Sequence, residues 1–117
     1  MKAYRILIIA ALVALLALPA TAAVSTVLNA VTTTGASAAQ DTGDATYVRV
    51  HVYSAAGSSA TVVIQQSLDN SVWYNVATIS DPSATGELWS VASVAYTRVN
   101  VTVRASGTIS AKVEVQR

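Results

Sequence analysis

The valines of this chain alternate with polar residues, and that period of two constrains the fold more than any other feature. In residues 46–54, Val48, Val50 and Val52 share one face, while Tyr47, Arg49, His51 and Tyr53 share the other. Residues 96–104 repeat the scheme, with Val99, Val101 and Val103 opposed by Arg98, Asn100, Thr102 and Arg104. Residues 108–116 do so again, setting Ile109, Ala111, Val113 and Val115 against Ser110, Lys112, Glu114 and Gln116. Successive side chains of a strand point to opposite faces, and β-branched residues suit its extended backbone. A helix would scatter the same valines around its circumference. Each run therefore predicts a half-buried antiparallel strand.

Residues 61–67, 72–79 and 87–94 are strands with less regular faces, and residues 24–34, rich in Val and Thr, form another. The breaks carry turn residues: Ala56-Gly57-Ser58-Ser59, Leu68-Asp69-Asn70-Ser71, Asp81-Pro82-Ser83 and Ala105-Ser106-Gly107. No run beyond the N-terminus has helical periodicity. The pattern predicts an all-β fold, a single antiparallel β-sandwich (jelly-roll or Ig-like) of about seven strands, behind an N-terminal apolar helix. Its core should hold Val48, Val50, Val52, Val62, Ile64, Val99, Val101, Val103, Ile109, Val113 and Val115. Trp73 and Trp89 are expected to plug that core. Residues 35–44 (GASAAQDTGD) are the one long irregular stretch. They leave the first strand loosely tied, to pair with its own sheet or with a neighbouring subunit. The chain thus divides into residues 1–22, an N-terminal strand and flexible loop over 23–44, and the sandwich core over 45–117.

The first segment has a different character. Lys2 and Arg5 precede an unbroken apolar run from Ile6 to Leu18, then Pro19 and the small residues Ala20-Thr21-Ala22. A charged start, a short apolar middle and an A-x-A end describe a secretory signal peptide. The run is about 13 residues, and a membrane-spanning helix needs roughly 20. A cleaved signal is therefore expected ahead of a retained membrane anchor. The destination is extracellular, cell-surface or periplasmic, or the surface of a virion.

A mature chain of about 95 residues is one small domain. It holds no cysteine, so its core, an oligomer interface or both must stabilise it without disulfides. After residue 22, five cationic side chains face six carboxylates, a net charge near −1. No basic cluster is present to neutralise a run of phosphates, which argues against nucleic acid. Sparse charge with abundant Ser, Thr, Ala and Val suits a packed lattice or filament, so a homo-oligomer or larger protein assembly is the expected partner.

The chemical inventory is thin. His51 is the only histidine, which rules out a metal site of several imidazoles. It lies on the polar face between Arg49 and Tyr53, where a hydrogen-bonded surface role is expected. No G-x-S-x-G turn places a serine on a sharp elbow, so neither hydrolysis nor any other enzymatic activity is expected. Asp41, Asp44, Asp69 and Asp81 fall in loops but lack a dedicated calcium spacing. Asp69-Asn70 reads as a turn, and no metal or cofactor is expected. Asn100-Val101-Thr102 matches a glycosylation sequon. The aromatic residues are the better lead. Tyr47, Tyr53, Tyr74 and Trp89 are the candidate contacts to a ligand or protein interface, since exposed rings stack on sugars and anchor protein contacts.

Three stretches then stand in order: residues 27–36 (VLNAVTTTGA), 66–73 (QSLDNSVW) and 96–103 (YTRVNVTV), followed by Gly107-Thr108-Ile109-Ser110-Ala111-Lys112-Val113. Together they resemble the small β-sandwich accessory proteins of tailed-phage structural gene clusters. Those carry an S-L-D-G-x-x-W hairpin, an R-V-x-V strand and a G-T-V/I-x-A-x-V ending. A weaker similarity links the hairpin to discoidin-like sandwiches. Asn70 stands where the phage pattern has glycine, a substitution that its tolerance of left-handed backbone allows. The export segment is a second departure, favouring a cell-surface or membrane-associated version of the fold. The resemblance implies a non-enzymatic structural or interaction protein, of decoration, tail or fibre type, that self-associates. The aromatic residues support an alternative, a glycan-binding adhesion module. Membrane contact is expected only through an uncleaved N-terminal segment.

Overall fold

A computed structural model describes residues 22–117. The signal segment, its alternative as an anchor and the N-terminal helix lie outside the described residues, apart from Ala22, which opens the first strand. The described chain is all-β. Its nine strands are β1 (Ala22–Val31), β2 (Gly35–Ala36), β3 (Gln40–Asp41), β4 (Tyr47–Tyr53), β5 (Ser59–Ser67), β6 (Tyr74–Ser80), β7 (Glu87–Val91), β8 (Tyr96–Ser106) and β9 (Ile109–Gln116). They form two antiparallel sheets. The first, sheet A, has the order β1-β9-β4-β7. The second, sheet B, has the order β2-β8-β5-β6, with β3 also pairing β8.

One apolar cluster joins the two layers. Sheet A contributes Leu28, Val48, Val50, Val52, Ile109, Ala111, Val113 and Val115; sheet B contributes Val62, Ile64, Ala77, Ile79, Val99 and Val101. Apart from Val103, the alternating valines thus face inward, and burying each contributes about 1.5–3 kcal/mol. Most connections carry the chain from one layer to the other, as β4–β5, β6–β7 and β8–β9 do. The exception among the long strands is the β5–β6 hairpin, which stays within sheet B. Tight crossings demand special backbone. Gly107 joins β8 to β9 within two residues at φ +83°, packed against Gly57 and Ser58 of the β4–β5 crossing.

The structure differs from the sequence expectations at four places. Residues 35–44 do not run free: β2 and β3 pair with β8, and Thr42 is fully buried. Its hydroxyl bonds the Val94 carbonyl and lies 2.9 Å from the Thr97 hydroxyl. Gln66 Nε2 donates to the Ala92 carbonyl at 2.6 Å and to Thr97 Oγ1 at 3.2 Å. Buried polar groups need partners, and this set fastens the β7–β8 crossing over the end of the core.

Val103 is the second difference. Register runs Val62↔Val101 and then Thr61↔Val103, so Thr102 is an extra residue on β8. Such a bulge turns the side chains that follow it, up to the next shift beyond Arg104, to the opposite face. Val103 is accordingly 59% exposed.

The tryptophans are the third, because neither fills the core. Trp73 lies ahead of β6, and the Arg98 guanidinium sits 4.1 Å from its ring centroid. Trp89 shares the inward face of β7, as partner of the buried Val50. β7 is an edge strand, however, and Trp89 remains 38% exposed.

Strand limits are the fourth. β6 starts at Tyr74 and β7 ends at Val91, leaving the apolar Val72 in the exposed hairpin and residues 92–95 in the crossing. β1, which the sequence left free to pair either way, lies antiparallel along β9 of its own chain.

Candidate functional site

The outward face of sheet A brings Tyr47, Arg49, His51, Tyr53, Lys112 and Glu114 together. Antiparallel register sets its rows. Across β1, β9, β4 and β7, one row reads Val24, Glu114, Arg49, Ser90. The next reads Thr26, Lys112, His51, Leu88. Tyr47 lies opposite Gln116, and Tyr53 opposite Ser110. Directly opposed side chains are near neighbours, and the face is laced accordingly.

Arg49 is the hub. Its Nε donates to Glu114 Oε1 at 2.7 Å, a second guanidinium nitrogen completes the ion pair, and the Tyr47 ring lies 5.0 Å away. The hydrogen bond to Glu114 and that carboxylate's charge hold the guanidinium above its ordinary pKa. Tyr47 in turn donates to Gln116 Oε1 at 3.3 Å.

His51 stacks on Tyr53, with ring centroids 4.8 Å apart, and Lys112 Nζ lies 5.8 Å from the same Tyr53 centroid. His51 Nε2 lies 2.9 Å from the Thr85 carbonyl oxygen. A carbonyl only accepts, so Nε2 carries the proton and is spent as a donor. The hydrogen bonds give His51 no carboxylate, because Glu114 serves Arg49. Side chains over all four strands leave a shallow hollow of about 220 Å³, lined by Val24, Arg49, His51, Leu88, Lys112 and Glu114. Apolar Val24 and Leu88 sit at its two ends, with charged groups between. Such a surface offers shape, stacking and hydrogen bonds.

The four candidate contact residues separate. Tyr47 and Tyr53 share this face. Tyr74 and Trp89 do not: by register with Gln66 and Val50 they lie on the inward sides of the edge strands β6 and β7. Both rings are exposed there. Leu88 and Val24 were not foreseen as part of any site. Their partners across the sheet place them there, and a single strand read alone carries no such signal.

The loop carboxylates each have local work. Asp69 Oδ1 accepts the Ser71 and Val72 amides, both at 2.9 Å, and the Ser67 hydroxyl at 3.0 Å. Asn70 follows at φ +61°, as the turn reading of Asp69-Asn70 expects. Asp81 Oδ1 accepts the Ala60 amide at 3.0 Å, and Asp41 Oδ1 the Gly43 amide at 3.2 Å. Asp44 binds Arg117 Nε at 2.7 Å, and that hydrogen bond lowers its carboxyl pKa. Among the described residues no three His, Cys, Asp or Glu side chains group as metal ligands would.

No protein-family model matches this chain, and no curated protein matches it in sequence. Solved structures do match in fold. The SPBc2 prophage-derived protein YomS superposes with a TM-score of 0.65 at 15% identity, covering 86% of this chain and 96% of that one. The PBSX exported protein XepA superposes with a TM-score of 0.51 at 18% identity, covering 81% of this chain. This chain spans 36% of XepA.

Proposed function

We propose that the chain is a non-enzymatic structural or interaction protein of a phage-type assembly, exported or displayed outside the cytoplasm, that self-associates. The fold match to YomS, a prophage-derived protein, carries this reading because it runs nearly end to end through both chains. The likeness to XepA, named an exported protein, supports the location, as does the charged and apolar start of the sequence. The tailed-phage resemblance of the hairpin and terminal strands points the same way. A decoration, tail or fibre accessory role fits a domain that presents a laced polar face.

The test is expression of the full chain in a bacterial host. Fractionation is expected to recover it outside the cytoplasm, and light scattering to show oligomers that grow with concentration. Electron microscopy should then reveal rings, fibres or decorated particles. A chain retained in the cytoplasm and monomeric at every concentration overturns the reading.

One observation favours a second reading, a glycan-binding adhesion module. Tyr47 and Tyr53 stand toward the two ends of the face that holds the hollow, where Arg49 and Lys112 supply donors. Sugar binding on a glycan array, lost in Tyr53→Ala while the fold is retained, would establish it. An array without signal removes it.

A further inference from the structure

The open edges of the two sheets differ in how they are closed. β2 and β3 are two residues long, β6 is bulged at Val76, and β7 carries Glu87. Short strands, bulges and charges all discourage pairing with another chain. β1 has none of these over its first half. Among the described residues it pairs β9 on one side only, and its ten residues (AAVSTVLNAV) include no charge and no proline. Residues 22–26 run along β9 without a register shift; the shifts begin beyond Thr26. Their opposite edge is therefore straight, and alternate residues present N–H and C=O groups that no described strand meets. The side chains there are small or exposed, with Val24 60% exposed.

We infer that residues 22–26 of β1 pair edge to edge with the same residues of a second copy, antiparallel about a two-fold axis. The two four-stranded sheets then become one continuous sheet. A second copy suits this edge because a segment without charged side chains meets itself without side-chain repulsion, and a two-fold axis makes the contact self-complementary. The bulged half of β1 stays outside the pairing. There Leu28 is buried, Val27 and Val31 pack on the core, and Ala30 turns at φ +49° with its amide on Ser110 Oγ. That half anchors the strand to its own subunit. The inference deepens the self-association reading and rests on it.

The experiment uses the full chain and two variants, Val24→Lys and Val24→Thr, measured by light scattering and by site-resolved amide exchange across a concentration series. Val24 lies opposite Glu114, so the single chain accommodates a lysine; melting at low concentration checks this. Pairing of two copies brings like charges together, and Val24→Lys is expected to weaken dimerisation about tenfold or more. Val24→Thr should retain it. In the unsubstituted chain, exchange at alternate residues within 22–26 should slow as the dimer fills. Assembly in which those amides exchange equally at all concentrations overturns the edge contact and leaves self-association standing. Exchange of β1 between subunits would give that same result, since the outer edge stays open. A monomer at every concentration overturns both.

Discussion

β8 and β9 follow one another in the chain and carry the same alternation, yet they obey it to different lengths. On β9, Ile109, Ala111, Val113 and Val115 are all buried. On β8, Val99 and Val101 are buried and Val103 is not. β9 lies between β1 and β4, and its pairing with β4 runs without a shift. β8 meets β5 through a shift at Thr102, and its alternation turns over there. Alternation belongs to one strand, but burial belongs to a pair of them. A valine in phase within its own strand lands outside once the register has slipped by one.

The largest expected effect tests that difference directly. Val101→Asp places a carboxylate among apolar side chains with no partner, and should cost about 4 kcal/mol or more, enough to unfold a small domain. Val103→Asp places the same group in water and should shift stability by about 0.5 kcal/mol or less. Urea unfolding followed by circular dichroism measures both. Equal costs would mean that the bulge at Thr102 is absent and that Val103 faces inward.

Next in size are the crossings that let β8 and β9 sit in different layers. A Cβ on Gly107 would lie 2.7 Å from the Ser58 Cβ and closer still to the Gly57 carbonyl oxygen, at a φ of +83°. Gly107→Ala should therefore cost about 2–3 kcal/mol, from overlap and backbone strain together. Gly57 has φ +81° but open space around it. Gly57→Ala should cost only the left-handed penalty, about 1–2 kcal/mol. Thermal melts of the pair separate the two terms. If they fall equally, the close approach of the two crossings does not hold.

What could be read in advance follows the same division. The valine runs of β4 and β9 announce both strand and inward face, because neither strand carries an extra residue: β4 keeps its register with both neighbours, and the shifts against β9 fall on β1. Asp69-Asn70 announces its turn, because the hydrogen bonds that make it lie within three residues. β2 and β3 were not legible, since two residues cannot display a period and their pairing with β8 is set by Thr42 and by the chain's route. The tryptophans misled because size argues for a core, whereas Trp89 lies on an edge and Trp73 against Arg98. The candidate site was half visible. Tyr47, Arg49, His51 and Tyr53 show their common face in β4 alone, but Val24, Leu88 and Glu114 join them only through register.

The smallest expected effect concerns the hairpin that, unlike the crossings, keeps β5 and β6 in one layer. Asp69 accepts two backbone amides and the Ser67 hydroxyl, and the hydrogen bonds from Val72 and Ser71 hold its carboxyl below the ordinary value of 3.8. A carboxylate bonded only in the folded state favours folding while it is ionised. Its contribution is complete above the ordinary carboxylate range and is lost as pH falls through the lowered folded value. Asp69→Asn keeps the shape of the side chain and removes that charge. The variant should be slightly less stable than the parent at neutral pH, and the gap should close as pH drops below 3.8. Because the side chain is exposed, solvent screens the interaction, and the shift should be small beside those of Val101 and Gly107. Urea midpoints across that pH range measure it. A gap that persists unchanged at low pH would show that the turn is held by its shape alone, with the charge on Asp69 contributing nothing.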